Sequence, residues 1–97
     1  MNVQTAKDDN HLTVTITGAI DTVTAPQLTA AFDTNGVKAL VFDITGVEYV
    51  SSAGIRVFLT MHKTMIAAGG TFTIVGAAPA VANVIRITGF STIFNMA

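Results

Sequence analysis

Apolar and polar residues alternate with a period of two along the first part of the chain, on both sides of a polar run at Lys7–Asn10. This alternation predicts two strands that each bury one face, and the polar run predicts the turn that joins them. The apolar positions that carry the pattern are Val3, Leu12, Val14 and Ile16. The first predicted element is therefore a β-hairpin, which is expected to end at Gly18.

The next segment has the start and stop signals of a helix. Thr24 and Gln27 have the spacing of a capping box, and Pro26 falls in the first turn, where its missing N–H costs nothing. A first helix is therefore expected to start near Thr24 and to stop before Asn35-Gly36.

Two further helices are expected in the second half of the chain. An amphipathic helix is predicted from Ala53 to Ala68, and Gly69-Gly70 should end it. Its apolar stripe is Ile55, Phe58, Leu59, His62, Met65 and Ile66, and its opposite face carries Arg56, Thr60, Lys63 and Thr64. A third helix should begin at Pro79 and stop at Gly89, with its apolar positions at Val81, Val84, Ile85 and Thr88.

Two segments between these helices predict strands of one sheet. Ala39–Ile44 is almost continuously apolar, which is typical of a central strand that is covered on both faces. Thr71–Val75 follows the long helix, so these two strands should be parallel and joined by a right-handed crossover. Ile93-Phe94 is expected to add a short edge strand. This order of elements predicts a single α/β domain over residues 1–97.

The composition narrows the classes of function. Charged residues make up 11% of the chain and the net charge is −1, which gives no electrostatic basis for binding nucleic acid or an anionic membrane. Without any Cys, disulfides and thiolate metal sites are excluded. No apolar run reaches the roughly 20 residues of a membrane span, and the N-terminal residues lack the pattern of a signal peptide. We expect a cytoplasmic protein whose charge-poor surface is covered by a protein partner or by self-association.

No catalytic arrangement follows from the sequence. Ser52 and His62 lie on one predicted helix and are roughly 15 Å apart along its axis, too far to form a nucleophile and base pair. The motifs of a nucleophile elbow, a dinucleotide fold and a phosphate loop are absent. His11 is expected to be an exposed turn residue, and His62 a satisfied, half-buried histidine. We expect a domain that is not itself an enzyme and that holds no cofactor and no metal.

Two carboxylates are candidates for a functional site. Asp21 follows the hairpin and Asp43 stands near the end of the central strand, so both should lie toward the C-terminal side of the sheet, where open α/β sheets place their sites. The residues alone favour a plainer interpretation, in which Asp21 caps a turn and Asp43 fixes a loop.

Two serines, Ser51 and Ser52, stand where a strand leads into the long helix. Serines at a helix start are usually N-caps, and the residues alone favour that interpretation. The same position also accommodates a phosphate, because the free N–H groups and the helix dipole favour negative charge. Phosphorylation would add about −1.5 to −2 charges there, which would change the docking of a partner without unfolding the domain.

The segment VFDITGVEYVSSAGIRVFL resembles the signature of STAS domains, especially those of bacterial anti-sigma factor antagonists. The similarity extends to TGAID near residue 20 and to the strand at Phe72–Gly76, and it covers nearly the whole chain. It implies a small α/β domain in which a mixed sheet of about four or five strands packs with about three or four helices. It also implies that an anti-sigma factor serine kinase binds the unphosphorylated domain and releases a sigma factor. The kinase then phosphorylates one serine at the start of the second helix, and a serine phosphatase resets the switch.

The resemblance assigns roles to individual residues. It places the phosphoacceptor at Ser52, and Ser51, where many members have Asp, is the alternative. Asp21 falls on the acidic residue near the phosphosite, Asp43 on the acid that closes the central strand, and Gly54 on the small residue that allows close approach. The implied partner-binding residues are Asp21, Ser51, Ser52, Ala53, Gly54 and Arg56. Many members have Glu where this chain has Ala19, and their closing helix is expected to be missing or very short here.

Two other classes of function stay open at this point. One is a non-phosphorylated interaction subunit of a transporter or a signalling scaffold, which would use the same helix face. The other is a ligand-binding module in which Asp21, Asp43 and the serines line a small polar cleft. We expect a monomer that exchanges protein partners, without nucleic acid and without membrane insertion.

Overall fold

Five strands and three α-helices follow one another along the chain, and the computed structural model describes all 97 residues. In chain order they are β1 (Asn2–Asp8), β2 (His11–Ile20), α1 (Thr24–Ala30), β3 (Ala39–Val50), α2 (Ser52–Ala67), β4 (Thr71–Val75), α3 (Pro79–Ile87), a short 3-10 helix (Phe90–Thr92) and β5 (Asn95–Met96). No helix has both the length and the apolar character needed to cross a membrane.

The strands form one mixed sheet in the order β1-β2-β3-β4-β5. β1 and β2 are antiparallel, because a tight turn at Asp9-Asn10 joins them. The other neighbouring pairs are parallel, and the connections β2–β3, β3–β4 and β4–β5 each include a helix. The predicted hairpin, the central position of β3, the parallel pairing of β3 with β4 and the α/β class are therefore confirmed.

Two strands are longer than the sequence predicts. β2 continues through Gly18 to Ile20, and β3 continues through Gly46 to Val50. Gly18 adopts a φ of +95°, and the register between the two strands shifts beside it. A glycine with positive φ lets a strand bend without losing its partner, so the predicted end of the hairpin strand at Gly18 is wrong. The extension matters because it brings Ile20 beside Val50.

The apolar run of β3 predicted a strand covered on both faces, and this prediction is wrong. Leu40, Phe42 and Ile44 are buried, whereas Val41 and Asp43 between them are only half-buried. One face of the strand therefore carries the core. Phe42 lies at its centre, with its ring edge-to-face with the rings of Phe32, Phe58 and Phe72 at centroid distances of 5.5, 5.8 and 5.0 Å.

The end of the chain also departs from the prediction. The edge strand β5 is Asn95–Met96 rather than Ile93-Phe94. Phe94 is buried, and its ring packs against the rings of Phe58 and Phe72. Phe94 closes the core because its ring packs among other aromatic rings, whereas Ile93 is 43% exposed and the polar Asn95 pairs with β4.

The long helix begins and ends within one residue of its predicted bounds, but its buried face differs. Ile55, Phe58 and Met65 are buried as predicted, and Met61 joins them. Ile66 is 58% exposed, so its place on the core stripe is wrong. His62 is half-buried as expected, yet its buried Nδ1 has no hydrogen-bond partner, so the prediction of a satisfied histidine is wrong.

The two isoleucines of α2 provide a matched test of this packing. Ile55 is 4% exposed and Ile66 is 58% exposed. We expect Ile55→Ala to lower the free energy of unfolding by about 2–5 kcal/mol, because it leaves a cavity in the core. Ile66→Ala should change it by no more than about 0.5 kcal/mol. Urea denaturation measures both, and equal losses for the two variants would contradict the assigned orientation of α2.

Candidate functional site

The candidate site forms where β2 and β3 end side by side. Ile20 and Val50, the last residues of the two strands, are paired in the parallel register. The N–H of Ser51 donates a hydrogen bond of 2.8 Å to the carbonyl oxygen of Ile20, which extends the ladder by one residue. This bond brings the loop that follows β2 next to the first turn of α2.

Gly54 allows the first turn of α2 to pack closely on these strand ends. A Cβ at this buried position would lie 2.8 Å from Cγ1 of Val50, 2.9 Å from Cγ2 of Ile20 and 3.1 Å from the carbonyl oxygen of Ile20. Carbon atoms in van der Waals contact are about 3.5–4.0 Å apart, so no larger residue fits unless the side chains of Val50 and Ile20 or the helix itself shift. These contacts agree with the close approach that the resemblance implied for Gly54.

The two serines at the start of α2 occupy different environments. Ser51 is the N-cap: it has extended backbone angles, and its half-buried Oγ accepts a long hydrogen bond of 3.5 Å from the N–H of Gly54. Ser52 is the first residue of the helix, is exposed and makes no side-chain hydrogen bond within the chain. One hydroxyl thus belongs to the cap, and the other is free at the N-terminal end of a 16-residue helix.

Asp21 fixes the neighbouring loop. One carboxylate oxygen, Oδ1, accepts hydrogen bonds from the N–H of Val23 at 2.9 Å and from the N–H of Thr24 at 3.0 Å. These bonds, with the one from Thr24 N–H contributing most, lower the pKa of Asp21 below its ordinary value of 3.8. Asp21 therefore caps the turn before α1, as the plainer interpretation of the sequence predicted.

The predicted capping box at Thr24 and Gln27 is wrong. Val23 stands at the N-cap position of α1 and offers no side-chain cap. The Thr24 hydroxyl instead accepts a hydrogen bond from the N–H of Asp21 and donates to the carbonyl oxygen of Ala19. Because Asp21 already binds the free N–H groups, the threonine side chain turns back to close the loop on β2.

Asp43 lies far from Asp21 and the two serines. It lies inside β3, paired with Thr15 of β2 and with Val75, the last residue of β4. The seven residues of β3 after it place it roughly 20 Å along the strand from Val50. Its carboxylate accepts hydrogen bonds from the hydroxyl of Thr45 at 2.6 Å and from its N–H at 3.1 Å, which lower the pKa of Asp43. Asp43 therefore fixes local backbone, and a shared cleft with Asp21 is ruled out.

Two grooves flank the start of α2. The α2–α3 groove has a volume of about 300 Å³ and is lined by Ser52, Ile55, Arg56, Leu59, Val84, Thr88 and Phe90. The α1–α2 groove has a volume of about 410 Å³ and is lined by Thr22, Ala25, Pro26, Thr29, Ala53, Arg56, Val57, Thr60 and Met61. Arg56 borders both grooves, and neither carboxylate of the predicted polar cleft lines either of them.

Comparison with known proteins identifies the family. The model of the STAS domain matches residues 2–97, so the chain belongs to the STAS family. The protein BtrV of Bordetella bronchiseptica, assigned as an anti-sigma factor antagonist, is 31% identical over 100 residues, which are 100% of this chain and 86% of BtrV. The anti-sigma-B factor antagonist of Listeria monocytogenes is 29% identical over 93 residues, which are 93% of this chain and 82% of that protein.

Solved structures agree with this assignment. An anti-sigma factor antagonist from Mycobacterium paratuberculosis has a TM-score of 0.83 and 28% identity over 98% of this chain and 83% of its own. SpoIIAA from Bacillus in its phosphorylated form has a TM-score of 0.74 and 15% identity over 99% of this chain and 91% of its own. This second structure shows the same fold. The resemblance found in the sequence is confirmed.

The sequence did not point to the α2–α3 groove. Its walls come from Leu59 in α2, Val84 in α3 and Phe90 in the 3-10 helix, which are far apart in the chain. The sequence placed Leu59 and Val84 on the apolar stripes of their helices, and only the structure shows that both are half-buried. Arg56, by contrast, was already among the predicted partner-binding residues, and it lies between the two grooves.

Gly54→Ala tests the close approach of α2. Alanine is the better helix former by about 1 kcal/mol, so a site with free space would be stabilised. Because the new Cβ would overlap Val50 and Ile20, we expect the variant to be less stable by about 1–3 kcal/mol in urea denaturation. Thr60→Ala, on the exposed side of the same helix, is the control and should change little. A variant as stable as the parent chain would contradict the packing.

The hydrogen bonds of Asp21 predict a dependence of stability on pH. Because its pKa is lowered in the folded state, its stabilisation is present above the unfolded pKa and is lost as the pH falls through the folded pKa. Asp21→Asn should therefore be less stable than the parent chain at neutral pH, and the difference should shrink as the pH falls below the ordinary pKa of 3.8. Asp8→Asn is the control, since the structure gives the Asp8 carboxylate no hydrogen bond. A difference for Asp21→Asn that does not change with pH would contradict the assigned bonds.

Proposed function

We propose that this STAS domain is an anti-sigma factor antagonist. In its unphosphorylated form it binds an anti-sigma factor serine kinase in the cytoplasm and so releases the sigma factor. Phosphorylation of Ser52 by that kinase ends the interaction, and a serine phosphatase restores it. The domain is the substrate in this cycle and needs no catalytic residue of its own.

The observation that carries the proposal is the position of the Ser52 hydroxyl. It is exposed at the first residue of α2 and has no hydrogen bond to give up. The hydroxyl of Ser51 is half-buried and serves as the N-cap acceptor, so its modification would remove the cap of α2. We therefore favour Ser52 over Ser51 as the phosphoacceptor.

Electrostatics explain how one phosphate could change docking and leave the fold intact. The N-terminus of a helix carries roughly half a positive charge and free N–H donors, which accommodate a phosphate. The phosphate would take the net charge from −1 to about −3, with the added charge concentrated at one end of α2. A partner that fits the neutral hydroxyl would then meet a strongly hydrated anion.

The known relatives support the same function. BtrV and the Listeria monocytogenes protein carry the name of anti-sigma factor antagonists, and the structure of SpoIIAA with the same fold is of its phosphorylated form. For this chain we propose a partner-binding face formed by Asp21, Ser51, Ser52, Ala53 and Arg56. Gly54 is buried, so its part is to hold the face together and not to touch the partner.

Substitutions at Ser52 test the switch. Ser52→Ala should bind the anti-sigma kinase of the same genome as tightly as the parent chain and accept no phosphate. Ser52→Asp should bind it about tenfold or more weakly, because the added charge cannot be desolvated at the interface. Isothermal titration calorimetry measures the affinities. Mass spectrometry after incubation with kinase and ATP locates the phosphate.

Ser51→Ala is the matched control, and it should still be phosphorylated although its helix cap is lost. If the parent chain binds the kinase but gains no phosphate, the switch is wrong while the binding stands. If it does not bind the kinase at all, and a pull-down recovers a transport ATPase or a sensor assembly, the domain is an interaction subunit of that assembly.

A further inference from the structure

Charge is divided unequally along the chain. All six acidic residues lie at or before Glu48, with two cations, so residues 1–50 carry −4. Residues 51–97 contain three cations and no acid, and so carry +3; the two parts together give the net charge of −1. The helices α2 and α3 belong entirely to the positive part. Their surface is therefore basic although the whole chain is slightly acidic.

One of these cations, Arg56, lines the α2–α3 groove, and a second, Lys63, is exposed on the same side of α2 beyond the lining residues. Ser52, Arg56 and Lys63 are separated by four and seven residues, which places them in one row along α2. Leu59 lies at the intermediate position of the same row and lines the groove with Arg56 and Ser52. The third cation, Arg86, does not line the groove, and its guanidinium is hydrogen-bonded to Asn83 on α3 itself.

Beyond the residues that line the groove, each of the two helices exposes one isoleucine. Ile66 follows Leu59 by seven residues on α2 and is 58% exposed, and Ile87 follows Val84 by three residues on α3 and is 69% exposed. Residues three, four or seven apart lie on one side of a helix, so the two isoleucines add exposed apolar surface on the sides of α2 and α3 that carry Leu59 and Val84. The groove and the exposed row that follows it on α2, from Arg56 to Ile66, together span about three helical turns, roughly 16 Å.

We propose that the α2–α3 groove binds an acidic amphipathic helix of a protein partner. An apolar stripe with a period of three or four residues matches the spacing of the side chains that line the groove, as in helix-in-groove recognition. Acidic side chains on the flank of that helix would face Arg56 and Lys63, and no carboxylate of α2 or α3 would repel them. This inference goes beyond the proposed function, because it names the binding surface and the chemistry of the bound helix. It does not depend on which protein supplies that helix.

Two other occupants fit the surface less well. An anionic membrane is a flat surface, whereas the apolar residues here line a concave groove and only two cations accompany them. A second copy of the chain would have to offer its acidic residues on an apolar helix. Neither α2 nor α3 contains an acidic residue, and α1 contains none either. A second copy therefore has no acidic helix to offer.

The position of Ser52 links the groove to the switch. Ser52 lines the end of the groove one helical turn from Arg56. If the proposed phosphorylation of Ser52 occurs, its phosphate would repel the acidic helix and compete with it for Arg56. This last step rests on the proposed function, but binding of the helix by the unphosphorylated chain does not.

The experiment uses a synthetic peptide and the full chain. The peptide is an amphipathic helix of about 16 residues, with Leu at a spacing of three and four and Glu at the flanking positions. A control peptide has Lys in place of every Glu. Two-dimensional amide NMR of the ¹⁵N-labelled chain should give dose-dependent shifts at Ile55, Leu59, Val84 and Phe90 with the acidic peptide. The Lys peptide should cause much smaller shifts.

Charge reversal on the protein completes the test. Arg56→Glu should weaken binding of the acidic peptide by about three- to tenfold and strengthen binding of the Lys peptide. Arg86→Glu makes the same change of charge outside the groove and should leave the affinity within about twofold. Both positions are exposed, and the NMR spectrum of each free variant verifies its fold.

Four results would overturn the proposal. They are no shifts at about 1 mM peptide, equal binding of the two peptides, shifts that map outside the groove, or equal losses in Arg56→Glu and Arg86→Glu. Binding to vesicles of anionic lipid but not to the acidic peptide would assign the surface to a membrane instead. Phosphorylation assays with the kinase are independent of all these outcomes, so failure of the groove and failure of the switch are separable.

Discussion

The arrangement of this domain depends on the contact between the first turn of α2 and the paired ends of β2 and β3. The N–H of Ser51 bonds to the carbonyl oxygen of Ile20, and Gly54 lies against Ile20 and Val50 where no Cβ fits. These contacts fix the helix start by its buried side. One side of this first turn packs against the strand ends. The opposite side is exposed to solvent, and it carries the Ser52 hydroxyl.

The residues that stabilise the fold and the residues proposed to contact a partner lie on different sides of α2. The core residues that hold α2 in place, such as Phe58 and Met65, lie on the side of the helix away from Ser52 and Arg56. A change of charge at Ser52 therefore acts on solvent, on the helix dipole and on whatever occupies the neighbouring groove. Under the proposed function, this geometry would let a modification at Ser52 be the input and a change in docking be the output.

The elements that the sequence predicted well are those whose signals are local. Alternation in β1 and β2, the apolar run of β3 and the period of α2 depend on near neighbours. The extensions of β2 and β3 could not be predicted, because glycine often marks the end of a strand. Here Gly18 packs against the backbone of Met1 and Gly46 packs against the side chain of Thr17. The exposure of Ile66 and the burial of Phe94 likewise depend on where α3 and the chain end come to lie. For the candidate site, the sequence named both serines, and only the hydrogen bond of Ser51 separates cap from free hydroxyl.

The central claim is that negative charge at Ser52 alters docking without disturbing the fold. A chain of this length can be prepared by semisynthesis with phosphoserine at position 52 alone, so no kinase is required. Amide hydrogen exchange and thermal unfolding of this chain and of its unphosphorylated form would then be compared. The account predicts an equal or higher unfolding midpoint, with changes in protection confined to the first turn of α2 and the α2–α3 groove. A lower midpoint, or lost protection in β2 and β3, would contradict it.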